Sequence, residues 1–377
     1  MKKVFSLIVL IIICFNLMMI VPQLKQNYIP GDLETSIQKS FFKRDELFDI
    51  YGLVTLIISP NEILDNNSQT VRLTDGRIVL PRPETNLKYQ KEQLSFLSEH
   101  CIDNNIDFLY VNLPSQSGGD NELWAVGVPS WCDANANELL SYLTEEKINC
   151  LDLKEKFPSG IENGYFYYTD HHWTTLAGFE AAKEILDYCN YSLGYDFDLS
   201  LLSNDRYCYA KYNECWLGET GKKVSGTWAK VLDDFTFIEP NFETDVSYVV
   251  DSATINRRGE FSDCFIDKSV LEEAKNYYNA KSWHYSYLFS NYDYCELTNN
   301  CNVDGKNILL IKDSYSLVMA PFMLMPAKKI VMWDMRFNDN SIEEYINNND
   351  IDIVIVAYTE GSSISKQNML HLIKLLW

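Results

Sequence analysis

Uninterrupted apolar segments that alternate with helical stretches constrain this chain more than any other feature. Near the C-terminus "NILLIKDSYS", "KKIVMWDM" and "IDIVIVAY" read as strands, with "LVMAPFML" and "SIEEYINN" as helices between them. A strand that is apolar along its whole length has to be covered on both faces, and parallel neighbours need a crossover helix. The same alternation occurs earlier. A helix carries Leu87, Leu94, Leu97 and Cys101, the buried strand "DFLYVNLP" follows, and then come the helix "NELLSYLTEE" and the short strand "INCLDL". The strands containing Val111, Ile311, Val331 and Ile355 are therefore expected to run parallel in one sheet, in a three-layer α/β/α architecture.

Two regions interrupt the pattern. From about residue 190 to 304 the chain is rich in Tyr, Asn and Asp and has only short apolar clusters, so this stretch reads as a long insertion in a single α/β/α domain over 61–377. Before that domain, "VRLTDGRIVL" places alternating apolar residues around Asp75-Gly76, a hairpin signal. Residues 23–60 read as a stalk leading into a helix from Phe41 to Ile58, and a further helix is expected after the last strand. Lys2 and Lys3 precede an apolar run from Val4 to Val21. Its length matches the roughly 17–25 residues that span a bilayer, and no small-x-small cleavage site follows. Residues 1–22 are thus read as a single-pass membrane anchor with the bulk of the chain extracellular. A cleaved signal peptide and a buried core helix are the competing readings.

With 53 acidic and 32 basic residues the net charge is −21, which disfavours a nucleic-acid partner. In an exported chain the ten cysteines raise the question of disulfides, with Cys208/Cys215 and Cys295/Cys301 near enough in sequence to pair. No cysteine or histidine spacing suggests zinc, and neither a metal nor a cofactor is expected.

In open α/β sheets ligands gather beyond the carboxyl ends of the strands. Three chemistry-bearing segments fall at such ends: "ILLIKDS" with Ser314, "IVMWDMR" with Asp334 and Arg336, and "YFYYTDHHW" with Asp170, His171 and His172. Serine is a weak nucleophile and needs a base that is itself oriented by a third group. In extended chain, residues two apart project to the same side, so Asp170 can hold His172 while His171 points away. The expected catalytic set is Asp170, His172 and Ser314. A structural role, with the histidines capping the following helix, is the competing reading; metal ligation by Asp170 and both histidines is the least favoured, because adjacent histidines rarely share an ion. Arg336, Asn112, Tyr315 and Trp173 are candidate substrate contacts. For Asp334 and Arg336 a structural ion pair is the stronger reading. "WLGETGKKVSGTW", Trp216 to Trp228, reads as a surface loop or, less favoured, as the lining of a sugar cleft.

"TDHHWTTLAG", the later "KDSYS", "DMRF" and the closing "IDIVIVAY" together resemble the bacterial DHHW family and the SGNH-hydrolase-like proteins of alginate O-acetylation. The resemblance implies a flavodoxin-like SGNH sheet in circularly permuted order, with Asp-x-His preceding the serine. It further implies acetyl transfer onto, or ester hydrolysis of, a cell-surface polysaccharide through an acyl-enzyme at Ser314. A multi-pass membrane O-acyltransferase would be the acyl donor. The chain departs from the pattern at Lys312-Asp313-Ser314, where Gly-Asp-Ser is usual, and in the oxyanion glycine and asparagine, for which Asn112 is the one candidate. The alternative function is a non-catalytic surface protein that binds glycan on a hydrolase-like fold.

Overall fold

A computed structural model describes residues 10–359, apart from residues 12–13, 16–17, 29, 31–35, 38–39, 41–42, 61, 65–68, 120–122, 125–127, 129, 158–162, 274–277 and 279. The chain divides into two compact units, Met1–Pro60 with Ser225–Lys230, and Asn61–Val224 with Val231–Trp377.

In the first unit, helix α1 (Arg44–Ile58) is sealed by the short returning segment. The Asp49 carboxylate accepts from the Thr227 N–H and hydroxyl, and the Trp228 indole donates to the Ser59 carbonyl. Gly52 is required there, because a Cβ would lie 1.7 Å from Ser225 Oγ. Much of the expected anchor lies outside the described residues, and the helix expected after the last strand, residues 360–377, lies wholly outside them. Among the described residues no helix is long and apolar enough to cross a membrane.

The second unit is built on an eight-stranded sheet of β1 (Asp107–Leu113), β2 (Cys150–Asp152), β3 (Val246–Val250), β4 (Ile255–Gly259), β5 (Tyr294–Asn299), β6 (Asn307–Lys312), β7 (Lys329–Trp333) and β8 (Ile353–Thr359), in the order β2-β1-β8-β6-β7-β5-β3-β4. The first five strands in that order are parallel, which brings the Val111, Ile311, Val331 and Ile355 strands together as their apolar character requires. Counted cyclically from β6, these five lie in the order 2-1-3-4-5, the doubly wound flavodoxin arrangement entered at a different point of the chain.

Alternation along each strand feeds two cores. Leu109, Val111, Leu310 and Ile355 pack with α4 (Thr175–Leu193) on one face. Phe108, Tyr110, Leu309 and Val356 pack on the other face with α2 (Lys88–Asp103), α3 (Cys132–Glu145) and α5 (Ile342–Asn348). Three layers result, as the sequence pattern demands.

The long insertion adds β5, β3 and β4 to the sheet as antiparallel strands beside β7. In β3 and β5 buried and half-exposed residues alternate, so their polar positions dilute the apolar signal that marks the parallel strands. A hairpin, Tyr207–Trp216 with Asp233–Pro240, completes the insertion. The turn at Asp75-Gly76 forms as expected: Val71 pairs with Val79, and Gly76 sits at φ 95°. Among the described residues no disulfide joins any of the ten cysteines, including those at 208, 215, 295 and 301.

Candidate active site

Strand β6 ends at Lys312, and the chain turns at once into a 3₁₀ segment, Ser314–Val318. Asp313 makes the turn. Its carboxylate accepts from the Tyr315 N–H and, across the sheet, from the N–H and hydroxyl of Thr359 at the end of β8. The serine is thereby fixed between β6 and β8, where the winding of the sheet reverses direction. Helix α4 approaches this turn so closely that a Cβ on Gly178 would lie 2.4 Å from the Val318 carbonyl oxygen.

The Asp-His-His segment lies just before α4, whose N-cap is Thr174. Asp170 is fully buried, and one of its oxygens accepts from both the His172 backbone N–H (3.0 Å) and His172 Nδ1 (2.7 Å). Because that oxygen accepts, Nδ1 carries the hydrogen and Nε2 presents its lone pair. His172 Nε2 stands 2.8 Å from Ser314 Oγ. Asp170, His172 and Ser314 therefore form one continuous hydrogen-bonded chain. The local backbone, however, is a tight Asx-type turn, not extended strand. His171 consequently does not point away. Its ring comes round to lie 3.9 Å from the His172 ring, with its side chain 44% exposed.

Electrostatics favour a neutral imidazole at rest. Burial lowers the His172 pKa to about 4, and neighbouring His171 adds to this against the pull of Asp170. Burial alone would raise the Asp170 carboxyl, but His172, His171 and the Glu219 N–H hold it well below the usual carboxylate range.

Several supports for the segment carried no sequence signal. The Glu219 N–H donates to the second Asp170 oxygen (2.7 Å), and the Gly218 N–H donates to Thr169 Oγ1 (2.7 Å). Gly218 must be glycine, since a Cβ would meet Asp170 Cβ at 2.4 Å. "WLGETGKK", read from sequence as a surface loop, thus grips the aspartate from behind. Asp233 accepts from the Thr169 N–H (2.8 Å) and hydroxyl, and Gln116 Nε2 donates to the Asp170 carbonyl (2.6 Å). On the far side of His172 lies His284, from the insertion, with rings 3.7 Å apart and 10° from parallel. These partners come from distant segments, and only packing brings them to the motif.

The candidate substrate contacts fare differently. Asn112 is 1% exposed, and its amide donates to Asp152 on β2. Trp173 is fully buried, and its indole donates to the Tyr315 carbonyl; Tyr315 is 4% exposed and its hydroxyl donates to the His171 carbonyl. Trp173 and Tyr315 thus tie the histidine segment to the serine turn from inside, while Asn112 is tied to β2. Arg336 grips Asp334 with two nitrogens (2.9 and 2.7 Å), while the fully buried Lys312 ammonium reaches the same carboxylate at 3.2 Å. Burial would raise the Asp334 carboxyl, yet Arg336 and Lys312 hold it down at about 2. Lys312, standing where glycine is usual, therefore anchors a buried ion network. Asp170, His171 and His172 offer donor atoms within 4.8 Å of one another, but the Nδ1–carboxylate bond already occupies two of them.

No protein-family profile matches the chain, and no curated protein matches it. Solved structures do. A DHHW family protein from Eubacterium siraeum is 17% identical, aligns over 83% of this chain and 98% of its own, and superposes with a TM-score of 0.60. Bacillus cereus PatB1, solved with a sulfonyl adduct, is 15% identical over 82% and 99%, with a TM-score of 0.62. The O-acetyltransferase domain of Pseudomonas putida AlgJ gives 10% identity over 79% and 92%, with a TM-score of 0.46. The chain shares its fold with the DHHW family protein and with PatB1.

Proposed function

We propose that this chain is a serine O-acyltransferase acting on the hydroxyls of a cell-surface polysaccharide. The observation that carries the proposal is the hydrogen-bonded chain from Asp170 through His172 to Ser314. In the first half-reaction His172 Nε2 takes the Ser314 proton as Oγ bonds to the acyl carbon. Asp170 steadies the imidazolium, which then protonates the departing group. In the second half-reaction His172 takes the proton of a sugar hydroxyl as the sugar oxygen bonds to the acyl carbon, and the resulting imidazolium returns the proton to Ser314 Oγ as the bond from that oxygen to the acyl carbon breaks. Among the described residues the Ser314 N–H makes no hydrogen bond, and it stands at the start of the 3₁₀ turn, suited to an oxyanion.

Water in place of the sugar hydroxyl gives an esterase with the same machinery. The chain with an activated acetyl ester, with and without oligosaccharide, separates the two. Acetylated sugar that vanishes in Ser314→Ala supports transfer. Free acetate released at a rate indifferent to every oligosaccharide supports hydrolysis, and no turnover of either kind overturns both.

The run from Val4 to Val21 is proposed as the membrane anchor, with the site on the outer side and a multi-pass acyltransferase as donor. Its support is the exposure of Leu10, Ile11, Met18 and Val21 among the described residues. Protease protection in intact cells tests the orientation.

A further inference from the structure

His284 lies in the 3₁₀ turn Trp283–Ser286 of the insertion and is fully buried. Its Nε2 is 2.7 Å from the Ser314 carbonyl oxygen. A carbonyl only accepts, so Nε2 carries the hydrogen and Nδ1 is left as a lone pair. That Nδ1 is buried with no hydrogen-bond partner among the described residues. The ring also stacks parallel on His172 at 3.7 Å and meets Tyr285 edge-on.

We infer that His284 is a positioning residue for the reaction at Ser314, fixing the serine turn through its carbonyl and covering one face of the His172 ring. The inference rests on the acyl-transfer reading. Burial of both rings supports it, since a charged His284 against His172 would oppose the imidazolium that the reaction forms; burial and His172 together lower the His284 pKa to about 3. The other groups facing the two rings are Asp170, Asp313 and His171, with Tyr285 and Tyr315 at their edges. A ring on His172 excludes water from that face, so protonation there proceeds without hydration and the base form persists into acid. The bond to the Ser314 carbonyl has a separate effect: it holds the peptide that presents Oγ.

Two substitutions separate these roles. His284→Phe keeps a ring on His172 but removes the imidazole donor from the Ser314 carbonyl. His284→Gln supplies an amide N–H near the position of Nε2 but removes the stack. Labelling of Ser314 by a fluorophosphonate probe is followed against pH in the full chain. The Phe variant should label on the order of 10–100-fold more slowly, with the acid limb of its pH profile unmoved. The Gln variant should label within several-fold of wild type, with its acid limb displaced upward toward an ordinary imidazole. If wild type labels and both variants match it in rate and profile, the inference fails while the acyl-transfer reading stands. A wild type that never labels overturns the reading and this inference with it. Should the variants fail to fold, nitrogen NMR of histidine-labelled wild type decides. His284 must be the Nε2–H tautomer and uncharged between about pH 5 and 8, and an Nδ1–H tautomer or an ordinary titration overturns the inference.

Discussion

His172 is held on three sides, by Asp170 at Nδ1, by His171 on one flank and by His284 on a face, so that its Nε2 is turned to Ser314. His172→Ala should slow probe labelling of Ser314 by a factor on the order of 10²–10⁴. His171→Ala should keep most of the labelling, because that ring touches neither Ser314 nor Asp170 at hydrogen-bond distance; the Asp170 separation is 3.9 Å. A measured reversal of the two phenotypes would contradict the assignment. The lowered pKa of about 4 sets the acid limb of labelling. It should fall near pH 4, not near the 6.5 of a free imidazole. Stability follows the same shift. The unfolded chain binds the His172 proton near 6.5 and the folded chain near 4, so the unfolded state holds more protons between these values. The contribution is complete above about 6.5 and is lost as pH falls through that window, by up to roughly 3 kcal/mol. Denaturant melts at several pH values should show this fall, flattened in His172→Gln.

The aspartate is clamped from the insertion, and the end of β6 is held by a buried ion network; each joint can be tested. Gly218→Ala drives a Cβ into Asp170. Overpacking of this kind costs about 1–3 kcal/mol, and labelling should fall with it because the clamp on the aspartate is displaced. A variant with wild-type melting and labelling would show that the clamp is slack. At the end of β7, Asp334→Ala leaves the buried Lys312 and Arg336 facing each other without an anion and should cost about 3–5 kcal/mol. Lys312→Met leaves the Arg336–Asp334 pair intact and should cost distinctly less, a contrast that chemical denaturation reads directly. The parallel strands were legible because apolar runs such as "IVIVAY" have one reading, burial on both faces. The pairing of Asp170 with His172 was legible from spacing, although a turn, and not extended chain, delivers it. His284, Gln116, Asp233 and the Gly218-Glu219 amides were not legible. Each acts across dozens of residues of sequence or more, and a backbone N–H carries no mark of its partner. The burial of Asn112, Trp173 and Tyr315 was not legible either, because proximity to a strand end does not say which way a side chain turns.

At the scale of the whole molecule, one sheet joins the two halves of the chain. The histidine arrives from before the insertion and the serine from after it, and the strand order 2-1-3-4-5 counted from β6 places both at the reversal point of the winding. The insertion that separates them in sequence extends the same sheet and returns His284 to the site. The central claim is that this architecture activates one particular hydroxyl. Intact-protein and peptide mass spectrometry after brief exposure to an activated acetyl ester tests it most directly. A single acetyl group on Ser314 in the wild type, absent in His172→Ala and chased off by oligosaccharide or water, is the predicted result. Acetylation scattered over lysines, or unchanged by loss of His172, would contradict the account.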